Sequence, residues 1–269
     1  MQVGVTMRNM GPESTRAMME DCARAAQDSG AESLWITDHV AIPPDDAEGS
    51  GGRYVDPLIT LGWLAGITRT IKLGSGVIVL PYRPPLMFAR QVAALQELSG
   101  GRLLLGVGIG WMDAEFRALG INRSDRGRDS DAVLSFLERC FAADVVEANG
   151  QPFLFRPRPA KPSVLVGGRA PHALERAARF GDGWLPMGMS PSDVAAAKQQ
   201  YLQLTNGYGK PAGTITLMTA LPLQDASQSR DLLEAYGAAG VDRIVCGVRY
   251  RTYTEYALSM SRLATVLGR

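Results

Sequence analysis

Histidine and cysteine are scarce in this sequence, and net charge is nearly absent. The 269 residues hold two histidines and three cysteines, and 28 Lys+Arg stand against 27 Asp+Glu. A balance this close provides no field to draw the protein to nucleic acid or to an anionic membrane. Cys22, Cys140 and Cys246 are single and far apart, so neither a disulfide framework nor a zinc site is expected. They fall in helical and strand patterns and are expected to be buried thiols. Two histidines without an H-E-x-x-H motif give a metalloenzyme no support, and no G-x-S-x-G or S-x-x-K marks a nucleophile. No apolar run reaches membrane-spanning length. "MQVGVTM" enters a strand without a basic, apolar and small-residue leader, so the expected location is the cytoplasm.

What is present is alternation. Short apolar runs are expected as strands at Gln2–Met7, Ser33–Thr37, Ile71–Val79, Arg102–Val107, Ser163–Val166, Gly183–Leu185, Thr214–Leu221 and Arg243–Gly247. Helical periodicity follows each, as in Leu86–Leu98, where Phe88, Val92 and Leu95 share a face. Gly30 and the Gly100-Gly101 pair fit helix stops, and Pro57 fits a first helical turn. Eight strand–helix units in this length predict one (β/α)8 TIM barrel of α/β class, with an open doubly wound sheet as the alternative. Residues 147–160 differ. Asn149-Gly150 is a strong hairpin signal and predicts a short β-hairpin excursion on the outside of the barrel.

In such a barrel, chemistry sits where strands end and loops begin. Four places there carry unusual residues. "LWITDHV" puts Asp38 and His39 directly after the second strand, where an imidazole can exchange a proton and a carboxylate can orient it. "LGSGVIVLPYRPP" interrupts a strand with Gly74 and Gly76, which predicts a bulge or a close backbone approach. "LGVGIGWM" alternates Gly106, Gly108 and Gly110 before Trp111. Its G-x-G-x-G spacing is a poor match to a dinucleotide loop, though the bare backbone could meet a ligand. "VLVGGRAPHAL" runs a strand into Gly167, Gly168 and Arg169 ahead of a helix, an arrangement suited to phosphate.

Together these segments, spread over Leu34–Gly120 and Val164–Pro186, resemble the luciferase-like monooxygenase superfamily, particularly its coenzyme F420-dependent oxidoreductases. The stretch after Ser190 adds little. The resemblance implies a single-domain barrel that binds F420, or alternatively FMN, at its C-terminal mouth. It implies His39 as proton donor or acceptor and Asp38 beside the ring. A non-prolyl cis peptide at Gly76-Val77 would back the ring, with Gly108, Gly110 and Trp111 flanking it. Gly167, Gly168 and Arg169 would form a phosphate loop, and Trp184 would border the cofactor. The implied reaction passes a hydride between the deazaflavin and a small organic substrate, with reduction of an enone or imine favoured. An FMN-dependent two-component monooxygenase using O2 and a non-catalytic deazaflavin-binding protein stand as alternatives. Arg53, Arg83, Arg126 and Arg169 are available to an anionic tail. A homodimer, and a separate reductase to regenerate the cofactor, are expected as partners. Trp111 stands where sugar-phosphate dehydrogenases of the superfamily carry glutamate, which argues against that chemistry. The chain is also too short for the long insertion of light-emitting subunits.

Overall fold

The computed structural model describes residues 1–47 and 49–269. Its sheet is parallel and closes on itself. In chain order the strands are β1 (Gln2–Thr6), β2 (Ser33–Ile36), β3 (Lys72–Ser75), β4 (Ile78–Val79), β5 (Leu103–Gly108), a hairpin of β6 (Val145–Ala148) and β7 (Gln151–Leu154), then β8 (Ser163–Gly167), β9 (Gly183–Leu185), β10 (Thr214–Thr219) and β11 (Arg243–Cys246). β1 pairs with β2 on one side and β11 on the other, and β3 pairs with β5, so the β1–β2–β3–β5–β8–β9–β10–β11 circuit is complete. Nine helices are described: α1 (Arg16–Asp28), α2 (Pro57–Ile67), α3 (Pro85–Leu98), α4 (Asp113–Ala118), α5 (Arg126–Ala142), α6 (His172–Phe180), α7 (Pro191–Gly207), α8 (Ala226–Ala238) and α9 (Tyr253–Val266). This is the expected (β/α)8 barrel. Among the described residues, no helix is long and apolar enough to cross a membrane.

Local chemistry sets the boundaries. Thr15, Asp56, Ser190 and Asp225 each accept an amide at a helix start, and Thr252 with Glu255 forms a capping box on α9. Ser190 is therefore the cap of α7. The hairpin turns through Asn149 and Gly150, both at positive φ, as a two-residue turn requires. At the barrel floor, Glu32 accepts from Arg243 and pairs with Lys72. Burial works against its charge, but these cations outweigh it and hold the carboxyl down at about 2. The three thiols are buried, as expected. Burial pushes Cys22 up to about 12 and Cys246 up to about 11, so neither is a ready nucleophile.

Strand alternation sorts the core into two parts. Leu34 and Ile36 face the helices, while Trp35 points into the barrel with Leu104, Leu165, Leu185, Met218 and Val245. The Trp35 indole donates to Ser33 Oγ. Glycines make room for it: a Cβ on Gly4 would lie 2.8 Å from its Nε1, and one on Gly74 would overlap its ring.

The expected third strand, Ile71–Val79, is broken. Leu73 pairs with Leu103 and Ile78 with Val107, so β3–β4 carries one more residue than β5 over the same span. That extra residue is a bulge. It contains the non-prolyl cis peptide Gly76-Val77, at the position the resemblance implies. The Val77 side chain lies against the bare faces of Gly108 and Gly167, where added Cβ atoms would stand 2.6 and 2.7 Å from its methyls. The loop glycines of β5 and β8 therefore serve the bulge of β3–β4.

Two glycines are predicted to respond oppositely to alanine. Gly106→Ala would drive a methyl into the Ser75 carbonyl, which is backbone and cannot turn aside. Its stability should fall by about 1–3 kcal/mol or more. Gly62 lies within α2 with open space around it, and Gly62→Ala should gain about 0.4–1 kcal/mol. Urea unfolding of the two variants checks the pair.

Candidate active site at the barrel mouth

His39 leaves the C-terminal end of β2 with its side chain about four-fifths buried. Its ring centroid lies 5.0 Å from that of Tyr54 and 6.0 Å, edge-on, from that of Trp111. Its Nδ1 is 3.1 Å from Oε2 of Glu115 in α4. Glu115 is buried, and its carboxylate is saturated. Oε1 accepts the Val40 amide at 2.5 Å and the Ala41 amide at 3.1 Å, and Oε2 also accepts the Tyr82 hydroxyl at 2.9 Å. Burial alone would push its pKa up. The two amides, Tyr82 and His39 outweigh burial and hold it below the ordinary value. The Tyr82 phenol is in turn pushed up by burial and by the adjoining Glu115 charge.

Asp38 occupies a different environment from its neighbour, because successive side chains of an extended segment point to opposite sides. Its Oδ2 and Oδ1 accept Arg83 at 2.5 and 2.9 Å, and Oδ2 accepts the Val79 amide at 2.8 Å. The acid that touches His39 is therefore Glu115 and not the adjacent Asp38. Asp38 instead ties the exit of β2 to the far side of the bulge.

The remaining sequence-predicted residues divide between lining the mouth and supporting it. Trp111 is 64% exposed after β5, and Val40 after β2 and Met187 after β9 are also exposed. Three uncovered apolar side chains therefore stand at the mouth, each just after a strand C-terminus. Gly76 and Val77 form the bulge beneath the mouth, with Gly108 and Gly167 packed on Val77. Gly110, at φ +76°, gives β5 a sharp exit, and a Cβ there would meet Val79 at 2.8 Å and the Phe116 ring at 3.0 Å. Gly168 is exposed at φ +124°, and Arg169 is exposed before α6. Among the described residues, no backbone carbonyl accepts the Arg169 and Ala170 amides. Trp184 departs from the expected placement. Its side chain is fully buried between sheet and helices, and its indole donates to the Gly168 carbonyl at 2.9 Å. It braces the loop from behind and does not border the mouth. Leu185, next to it, is the residue that faces the barrel interior.

Of the four arginines expected to be available to an anionic tail, Arg83 is held by Asp38, Arg53 by Ser14 in the cleft between α1 and α2, and Arg126 by the Arg123 carbonyl. Arg169 has no acceptor among the described residues. A cavity of about 610 Å³ adjoins the mouth at the ends of β1, β2 and β11, lined by Met7, Arg8, Thr37, Val248, Arg249 and Tyr250 among others. Its size suits a small organic ligand. His39 is not in its wall. Met10, which is, bridges to Tyr54 beside the His39 ring.

The luciferase-like monooxygenase family model matches residues 2–263. The chain belongs to that family. Among luciferase-like relatives, it is similar to a 5,10-methylenetetrahydromethanopterin reductase of Archaeoglobus fulgidus, 28% identical over 239 residues, which are 86% of this chain and 63% of the relative. It is also similar to the 4-hydroxyprotoasukamycin monooxygenase of Streptomyces nodosus subsp. asukaensis, 27% identical over 76% of this chain and 58% of the relative. The chain thus spans about three-fifths of the length of each. A solved F420-dependent secondary alcohol dehydrogenase, complexed with an F420–acetone adduct, shares the luciferase-like fold with a TM-score of 0.80. It is 14% identical, over 98% of this chain and 97% of that one.

Glu115 was not among the residues expected to matter. A signal for it exists: Met112, Glu115 and Phe116 share the buried face of α4, and an acid at a buried helical position needs partners.

Removing Arg83 should expose how far the mouth depends on Asp38. Arg83→Met leaves a buried carboxylate without its cation, which costs about 3–5 kcal/mol. Adding Asp38→Asn removes the charge while keeping an acceptor for the Val79 amide, and should recover most of the loss. A urea-unfolding cycle over the single and double variants measures both.

Proposed function

We propose that this luciferase-like protein is an F420-dependent oxidoreductase that reduces a polarised double bond, of the enone or imine kind, in a small organic substrate. The observation that carries the proposal is His39, held at the barrel mouth by a buried, ionised Glu115. The mouth residues fit a deazaflavin. The exposed side chains of Val40, Trp111 and Met187 suit the flat ring, and the Gly168–Arg169 loop, whose Arg169 and Ala170 amides and Arg169 guanidinium have no protein acceptor among the described residues, suits the anionic tail. The reductase relative, matched over 86% of the chain, supports the same choice.

Bound F420 in its reduced form would supply a hydride to one atom of the double bond. The chain's own part is the proton. His39, protonated, gives the other atom its Nε2 proton and keeps the N–H electron pair. Burial of Asp38 and Glu115, with the half-buried Tyr82 donating to Glu115, keeps their charges and hydrogen bonds away from competing water. A homodimeric assembly and a separate enzyme that regenerates the reduced cofactor belong to the same proposal.

The monooxygenase relative favours a second reading, an FMN-dependent oxygenase on the same fold. Titration of purified protein with F420 and with FMN, followed by tryptophan fluorescence, separates the two. The first reading expects micromolar F420 binding and much weaker FMN binding. The reverse preference, with oxygen uptake in the presence of reduced FMN, would overturn it. Once a substrate is found, His39→Ala should lower turnover more than tenfold with little change in F420 affinity, since general acid–base help is worth about 100-fold or more. Full activity in that variant would remove His39 from the reaction.

A further inference from the structure

We infer that Glu115 is a positioning residue that fixes the tautomer of His39, so that Nδ1 always carries a proton and Nε2 is the nitrogen that exchanges one. The inference deepens the proposed function and rests on it only for the identity of the reaction. An ionised carboxylate accepts hydrogen bonds and cannot donate them. Glu115 Oε2 lies 3.1 Å from His39 Nδ1, so the neutral imidazole presents Nδ1–H to it and keeps its lone pair on Nε2. Three other donors hold the carboxylate in place. The Val40 and Ala41 amides take Oε1, and the Tyr82 hydroxyl shares Oε2 with His39. With these four donors the lone-pair sites of the carboxylate are filled, and no vacant acceptor can draw His39 into another rotamer.

The groups facing His39 agree with this assignment. Glu115 comes from α4, Tyr82 donates to that same carboxylate from the turn after β4, and Tyr54 and Trp111 meet the imidazole through their rings. None of them offers Nδ1 a donor that would favour the opposite tautomer. Asp38, the acid adjacent in sequence, is occupied by Arg83 and Val79. The arrangement orients a proton-exchanging nitrogen through the hydrogen bond on its other side.

Glutamine at position 115 is the informative change. Its carbonyl oxygen can keep the Val40 and Ala41 amides, which leaves its NH2 group facing His39 and Tyr82. That group donates, so Glu115→Gln should invert the tautomer and put the proton on Nε2. The test is ¹⁵N NMR of protein labelled at histidine. Two imidazole rings, each with a pair of ring-nitrogen signals, are expected, and the exposed His172 is assigned with His172→Ala. In the wild-type protein above the imidazole titration, His39 should show the Nδ1–H tautomer, and in Glu115→Gln the Nε2–H tautomer. Turnover in Glu115→Gln should fall by at least tenfold, with F420 affinity and KM within about threefold of wild type. Glu115→Asp, which keeps an acceptor-only group, should recover part of the rate. An Nε2–H tautomer in the wild-type protein would overturn the inference even if the glutamine variant does not fold, and so would full turnover in a folded Glu115→Gln. The tautomer measurement needs no cofactor, so it stands or falls apart from the choice between F420 and FMN.

Discussion

Two buried carboxylates hold the mouth of this barrel together. Asp38 fastens the exit of β2 to Val79 and Arg83 beyond the β3–β4 bulge. Glu115 reaches from α4 to the backbone of Val40 and Ala41, to Tyr82 and to His39. Loops from three consecutive barrel strands are thus tied by hydrogen bonds to charged groups, which are stronger than neutral ones. A carboxylate buried among fewer donors would take up a proton and release its partners. At Glu115 burial pushes the pKa up, and the Val40 and Ala41 amides, Tyr82 and His39 together hold it below the ordinary value. Placement of His39 is a consequence of this network more than of the strand that carries it.

The second constraint is steric. Trp35 fills the barrel interior, and Val77 turns inward from the bulge above it. Each needs bare backbone opposite: Gly4 and Gly74 for Trp35, Gly108 and Gly167 for Val77. The glycines that mark the mouth in the sequence are therefore largely packing glycines. They let the bulge sit flush against β5 and β8. Gly168 and Arg169 differ. They are exposed, and a Cβ on Gly168 would meet only the Ala173 methyl among the described residues.

Most of the fold was legible because period-2 and period-3.6 patterns alternate cleanly and turn chemistry is local. Asn149-Gly150 and the Phe88–Val92–Leu95 face behave as their spacing requires. The break in the third strand was only half legible. Gly74 and Gly76 signalled irregularity, but the extra residue depends on register with β5, which no local pattern encodes. Of the candidate site, the placement of His39 at a strand exit and the irregularity at the bulge were legible, and the contacts of its acids less so. Adjacency suggested Asp38 as the partner of His39. The true contact joins residues 76 positions apart, and only the folded barrel brings α4 beneath the loop after β2. The full burial of Trp184 was not legible for a related reason. Parity along β9 turns its side chain away from the interior, and three residues give too short a strand for alternation to reveal that.

On the proposed reading, one reaction centre lies above the Val77 bulge, with His39 Nε2 toward it. A crystal structure of the protein with F420 bound tests that claim most directly. The account predicts the deazaflavin ring lying across the bulge beside Trp111, its phosphate at the Gly168–Arg169 loop, and C5 open on the side that His39 faces. A ring bound elsewhere, as in the cleft between α1 and α2 lined by Met19, Arg53 and Trp63, or bound with His39 beyond reach of its reactive face, would contradict it.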